Sequence, residues 1–68
     1  PSTLVIRALK RAHFYEFHQS GSHVRLRHPD RPHLRVTIPF HHRDLTPKTL
    51  KSIIEQADMT VEEFITFL

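Results

Sequence analysis

The chain of 68 residues contains no cysteine and only one glycine. Without cysteine it can form neither disulfide bonds nor thiolate metal sites, so packing alone must hold the fold together. No apolar run approaches the roughly 20 residues that a membrane-spanning helix needs, and no segment resembles a signal peptide. These absences predict a cytoplasmic protein that does not enter a membrane.

The size and composition of the chain predict one small domain. Hydrophobic residues make up 38% and charged residues 25%, as is typical of a globular domain. A chain of this length buries only about 60% of the surface that it exposes when unfolded, so its core is small. We therefore expect residues 1–68 to form a single domain.

Positive charge is concentrated in the first half of the chain. Residues 1–36 carry seven lysines and arginines against two acidic residues, a net charge of +5. Residues 37–68 carry three against five, a net charge of −2. A basic patch is expected of a protein that binds a polyanion such as nucleic acid. Charge alone is equally compatible with a solvated surface.

The first part of the chain predicts a helix followed by a strand. Residues 2–12 have apolar side chains at helical spacing, and Ser2 or Thr3 could cap the start of this helix. The apolar stripe consists of Leu4, Ala8, Leu9 and Ala12. The aromatic segment 14–19 predicts a short strand. We expect its phenylalanines in the core, because so small a domain needs every large apolar side chain.

Alternation of polar and apolar residues predicts two further strands, at 23–27 and 34–38. A turn at 29–32 separates them. Three antiparallel strands joined by short turns can bury one face under helices and leave the other face open. The predicted buried side chains are Val24, Leu26, Leu34, Val36 and Ile38. The predicted open face carries His23, Arg25, Arg27, Arg35 and Thr37.

The last part of the chain predicts a second helix and a short third helix. Thr46 followed by Pro47 is typical of an N-cap and the first helical residue. Thr60 and Glu63 have the spacing of a capping box for the last helix. Asp58 is expected where the second helix ends, a position that usually takes glycine or asparagine. The apolar positions of the two helices are Leu50, Ile53, Ile54, Ala57, Val61, Phe64, Ile65 and Leu68.

A histidine beside three arginines on an open sheet face indicates phosphate chemistry. Arginine binds phosphate oxygens through two parallel hydrogen bonds, and an imidazole can give or take a proton near neutrality. RNA supplies its own nucleophile, the 2′-hydroxyl. Its cleavage therefore needs a base, an acid and charge stabilisation, but no metal. His23 is the candidate, although a lone exposed histidine on a strand usually has no catalytic role.

Seven histidines raise the question of a metal site. Five of them recur every five residues, which matches neither helical nor strand spacing, so they do not converge on one face. These are His13, His18, His23, His28 and His33. His41 and His42 are neighbours in a loop and could form a weak site at most. We expect no metal and no cofactor. His41 is instead a candidate for a second proton-transfer group or a substrate contact.

The segment Gly21-Ser22-His23, directly after a short aromatic strand, resembles the G-S-H signature of HicA-type toxins. The similarity continues through segments 9–14, 24–30, 36–41 and 45–57, and it covers nearly the whole chain in register. The resemblance implies an α+β fold like that of double-stranded-RNA-binding domains: a helix, a three-stranded antiparallel sheet, a helix and a short C-terminal helix. It also implies a type II toxin–antitoxin toxin that acts as an mRNA interferase, a metal-independent endoribonuclease.

The same resemblance implies the catalytic residue and the partners. The catalytic histidine of the family corresponds to His23, as general acid or base. The implied partners are mRNA and a HicB-type antitoxin that covers the active site, with DNA contacted only through the antitoxin. The predicted RNA-binding residues are Gly21, Ser22, Arg25, Arg27, Arg35, Lys10 and Arg11.

The chain departs from the family pattern at several positions. His13, Lys48 and Asp58 stand where glycine is usual, which bears on the conformation of backbone turns. Ser20 stands where a basic residue is usual, and His18 where arginine is common. These last two changes reduce the positive charge beside the catalytic histidine.

Two other functions fit the same residues. An RNA-binding module without cleavage activity would bind RNA in a salt-dependent manner and leave it intact. A domain whose open face only docks another protein would have little affinity for RNA even at low salt.

Overall fold

A computed structural model describes residues 1–40 and 44–68. Within them the elements are α1 (Ser2–Arg11), β1 (Tyr15–Ser20), β2 (His23–Arg27), β3 (Arg35–Pro39), α2 (Pro47–Gln56) and α3 (Val61–Ile65). The strands form one antiparallel sheet in the order β1-β2-β3. The predicted α+β architecture is confirmed, and it is compatible with the double-stranded-RNA-binding-like fold. Each helix of the described residues is too short or too polar to cross a bilayer.

The core lies between one face of the sheet and the helices. As predicted, alternate strand side chains are buried, and so is Leu34 just before β3. The buried strand side chains are Val24, Leu26, Val36 and Ile38. The helices contribute Val5, Ile6, Ala8, Leu9, Ile53, Ile54 and Phe64. The opposite face of the sheet is left open, as the alternating pattern predicted.

The predicted apolar stripe of α1 is wrong at one position. Leu4 is 40% exposed, whereas Val5 and Ile6 are buried. The helix turns toward the sheet a stripe that begins at Val5 and continues at 8, 9 and 12. These positions follow the i, i+3, i+4, i+7 spacing of a core-facing helix, and Leu4 lies at the edge of that stripe.

The predicted apolar face of the last helix is also mostly wrong. Phe64 is buried, but Val61, Ile65 and Leu68 are each at least half exposed. The helix is only five residues long, so a single side of it reaches the core. Phe67, in the turn that follows, packs against the core instead of the residues at 65 and 68.

Two of the three predicted helix starts are confirmed. The Thr46 hydroxyl accepts the Thr49 N–H at the start of α2, and Thr60 and Glu63 form a reciprocal capping box at α3. The prediction for α1 is wrong, since its N-cap is Pro1 and no side chain caps it.

Three described residues have a positive φ: Gly21 at +55°, His13 at +76° and Asp58 at +56°. Gly21 is the first of two residues between β1 and β2, where a positive φ is typical of a type II′ hairpin turn. The expected conformation at Asp58 is confirmed. Lys48 instead lies inside α2, so the expectation that it affects a turn is wrong.

Replacing His13 with glycine should stabilise the fold. A side chain in the left-handed region costs about 1 kcal/mol that glycine avoids, and His13 is exposed with only an edge contact to the His28 ring. We expect His13→Gly to raise the free energy of unfolding in urea by about 0.5–1 kcal/mol. Lys48→Gly is the matched control. It should lower that free energy, because glycine is unfavourable in a helix. A lower stability of His13→Gly would contradict the argument.

Candidate functional site

The open face of the sheet is organised in three rows of cross-strand neighbours. Residues paired across strands share a face, so the register of β2 with β1 and β3 defines the rows. The arginine row is Tyr15–Arg27–Arg35, the middle row is His18–Arg25–Thr37, and the histidine row is Ser20–His23–Pro39. The structure thus brings together His23, Arg25, Arg27 and Arg35 on one face.

A bulge in β1 adds an aromatic side chain to this face. Glu16 pairs with Leu26 and so faces inward, but the register shifts between Glu16 and His18. Phe17 is the additional residue, and its side chain is 54% exposed and contacts Arg27 on the open face. The prediction of Phe17 in the core is therefore wrong. Phe14, one residue before β1, is buried as predicted.

The three arginines of the open face have no acidic partner among the described residues. The side-chain ion pairs of the described residues join Lys10 to Glu16 and Arg31 to Asp58, and both pairs lie away from the open face. Arg27 and Arg35 are direct cross-strand neighbours, and like charges in that position repel each other. An anion bound between the two guanidinium groups would relieve the repulsion.

The other two basic residues predicted to bind RNA lie elsewhere. The Lys10 ammonium is 3.3 Å from a Glu16 carboxylate oxygen, on the helix side of the sheet. The Arg11 guanidinium donates to the backbone carbonyls of Phe67 and Leu68. The structure does not bring Lys10 or Arg11 together with His23.

The backbone around His23 is held on both sides. The β1–β2 turn places Gly21 and Ser22 just before it, and the Ser22 carbonyl accepts the N–H of Phe40. Its cross-strand neighbour Pro39 is tied to the start of α1, because the buried Ser2 hydroxyl donates to the Pro39 carbonyl at 2.7 Å. The backbone is therefore fixed at Ser22, just before His23, and at Pro39, across from it, while the His23 side chain is exposed. Glycine is present at 21 for its φ rather than for space, since a Cβ there would meet no atom within 4 Å.

A groove of about 380 Å³ separates His23 from α2. Its sheet wall is His23, Thr37 and Pro39, and its helix wall is Lys48, Thr49, Ser52, Ile53 and Gln56. The Gln56 side chain accepts the Thr37 N–H at the edge of β3 and donates to the Ser52 hydroxyl oxygen. The Ser52 hydroxyl can therefore donate its own hydrogen to a ligand in the groove.

Sequence reasoning missed the helix wall of this groove. Lys48, Ser52 and Gln56 recur every four residues, so they form a polar stripe on α2. That periodicity was the available signal. It does not say which part of the fold the stripe faces, and only the packing of α2 along β3 brings it to His23.

Two further predictions concern a second proton-transfer group and metal binding. His41, the predicted second proton-transfer group or substrate contact, lies outside the described residues. Within residues 1–40 and 44–68, no three side chains of histidine, aspartate or glutamate are grouped so that they could hold a metal ion.

Comparison with known proteins gives one result that bears on function. A family model described as the HicA toxin of bacterial toxin–antitoxin matches residues 4–59. The match spans all three strands and α2, and so includes the open face and both walls of the groove. None of the curated proteins matches the chain.

Proposed function

We propose that this chain, which belongs to the HicA toxins of bacterial toxin–antitoxin systems, is a metal-independent endoribonuclease that cleaves mRNA. Membership of the family makes it a toxin with an antitoxin as its partner. The observation that carries the nuclease proposal is the position of His23, exposed between the arginines of the open face and the polar wall of α2.

The proposed reaction uses the 2′-hydroxyl of RNA as its nucleophile. The 2′-oxygen attacks the adjacent phosphorus and the bond to the 5′-oxygen breaks, which leaves a 2′,3′-cyclic phosphate and a 5′-hydroxyl. A base takes the proton of the 2′-hydroxyl, and an acid gives a proton to the leaving 5′-oxygen. His23 is one of these two groups. The scheme needs no metal, because nucleophile and leaving group both belong to the RNA.

Positive charge beside His23 and on the helix wall of the groove supports the transition state. Arg25 lies in the row next to His23 on the open face. Its guanidinium can bind the phosphate oxygens as negative charge develops on them. Lys48 adds an ammonium group from α2. It compensates for the basic residues that this chain lacks at positions 18 and 20.

The same surface supports a proposal for the antitoxin. An acidic or aromatic HicB-type protein that covered the open face would neutralise its arginines and block access to His23. In this proposal DNA is reached only through the antitoxin, and the toxin acts in the cytoplasm, where its mRNA substrate is found.

Cleavage of a defined mRNA by the purified chain in excess EDTA tests the proposal. We expect cutting without added metal, with 2′,3′-cyclic phosphate at the new ends. A copy of the RNA with a single 2′-deoxynucleotide before the mapped cleavage position should resist cutting there, because its nucleophile is absent. The unmodified positions of the same molecule are the internal control.

Other results would favour the alternative functions. Intact RNA together with a salt-sensitive gel shift would favour a binding module without catalysis. Intact RNA without a shift at low salt would favour a protein-docking domain. Cleavage that EDTA abolishes would contradict the metal-independent mechanism.

A further inference from the structure

An exposed aromatic ring lies at the bulge in β1, although its burial would favour folding. Phe17 is one of six aromatic residues in the chain, and more than half of its side chain is exposed although the core of so small a protein is limited. The bulge brings His18 to the same open face as Phe17, and bulges are common next to functional sites. The position of Phe17 therefore calls for a ligand rather than for a role in packing.

Arg27 and Phe17 form one composite surface. The Arg27 guanidinium carbon is 4.1 Å from the centroid of the Phe17 ring, which is a cation–π contact. The contact fixes the guanidinium and the ring relative to each other. We call this pair the stacking platform.

The stacking platform borders a small cavity on the open face. The cavity has a volume of about 130 Å³. Its lining residues are Phe17, Arg25, Leu26, Arg27, Arg35, Val36 and Thr37. An aromatic ring beside arginines without acidic partners combines a surface for a flat ring with sites for phosphate. A nucleotide in a single strand presents both groups, since its base is unstacked and its phosphate is charged.

We propose that the stacking platform binds a nucleobase of single-stranded RNA next to the cleaved linkage, so that Phe17 determines how the RNA is positioned on the toxin. The inference rests on the proposed function, because it takes RNA as the ligand. To that function it adds two statements: the bound RNA is single-stranded, and Phe17 contacts one of its bases. Duplex RNA does not fit, because its bases are already stacked on each other.

The distance between Arg27 and His23 along β2 separates the bound base from the catalytic histidine. Arg27 lies four residues after His23 on the same face, a distance of roughly 13 Å at about 3.3 Å per strand residue. The base on the platform is therefore a neighbour of the cleaved linkage. Stacking on an aromatic ring accepts every base. We therefore expect the platform to position the RNA strand without selecting strongly for its sequence.

Binding of a short single-stranded oligonucleotide tests the inference. The probe is a 2′-O-methyl RNA of mixed sequence, which cannot be cleaved because its nucleophile is blocked, and a series of copies that each lack one base. We expect Phe17→Leu to weaken binding of the intact probe roughly 5- to 150-fold, whereas Phe17→Trp retains the affinity. Loss of one particular base should weaken binding to the native chain by a similar factor and should have little further effect on Phe17→Leu.

The outcomes separate this inference from the proposed function. Equal RNA affinity of Phe17→Leu and the native chain would overturn the platform and leave the nuclease proposal intact. The same holds if every base deletion weakens binding to Phe17→Leu as much as it weakens binding to the native chain. A loss of antitoxin binding by Phe17→Leu with unchanged RNA affinity would likewise overturn it and assign Phe17 to the protein interface. No measurable RNA affinity of the native chain would overturn both proposals. Circular dichroism should confirm that Phe17→Leu folds.

Discussion

Replacing His23 with alanine should lower the rate of RNA cleavage by at least about 10²-fold, and by up to about 10⁴-fold. It should also relieve growth inhibition in cells that express the toxin. The physical reason is the loss of one of the two proton-transfer groups. The measurement is the single-turnover cleavage rate of a defined mRNA at saturating protein.

The fold and the binding of RNA should survive the same substitution. His23 is exposed, and its position is fixed by backbone contacts of Ser22 and Pro39 rather than by its side chain. The arginines of the open face remain in place. We therefore expect a native circular dichroism spectrum and an RNA affinity within a few-fold of the native value, so that the loss lies in the chemical step.

Two controls make the assignment of His23 specific. His33→Ala removes an exposed histidine from the β2–β3 loop, at the end of β2 opposite His23, and should cleave at the native rate. Free imidazole in solution should partly restore cleavage to His23→Ala, since it can enter the vacated space and transfer a proton. Cleavage by His23→Ala at the native rate would exclude His23 as a catalytic group.

Local patterns in the sequence predicted most of the fold. Each correct feature depends on residues that are close in the chain: the alternation at 23–27, the Thr46-Pro47 helix start, and the capping box of Thr60 and Glu63. The same alternation assigned His23 and the arginines to one face. These features need no knowledge of how the elements pack.

The errors have different physical causes. The prediction of Phe17 in the core rested on the need of a small domain for large apolar side chains, but Phe17 lies three residues after the buried Phe14, so strand alternation puts the two on opposite faces. Leu4 was assigned to the core because the rotation of α1 depends on the sheet against which it packs. Lys48 and Ser52 were missed because their proximity to His23 depends on the packing of α2 along β3.

Replacing Arg35 with glutamine should change stability and RNA binding in opposite directions. Arg35 stands directly opposite Arg27 across β2 and β3, and such like-charged pairs destabilise a sheet by roughly 0.2–1 kcal/mol. Removing one charge should raise the free energy of unfolding by that amount. If Arg35 instead served to stabilise the fold, the same substitution would lower the free energy of unfolding.

RNA affinity should fall with the same substitution. Loss of one charge-assisted contact with phosphate costs about 1.5 kcal/mol, which corresponds to a roughly tenfold weaker affinity. The slope of log affinity against log salt should become shallower by about 0.7, the value for one phosphate contact on a single strand. The measurements are urea unfolding and RNA titrations at several salt concentrations.

Arg31→Gln is the matched control, because it removes the same charge from a side chain that is paired with Asp58 away from the open face. It should leave RNA affinity and the salt slope almost unchanged and should lower stability slightly. An unchanged salt slope for Arg35→Gln would contradict a phosphate contact at position 35. A gain in stability together with a weaker affinity would instead mean that the free toxin keeps two repelling charges side by side because its ligand needs them both.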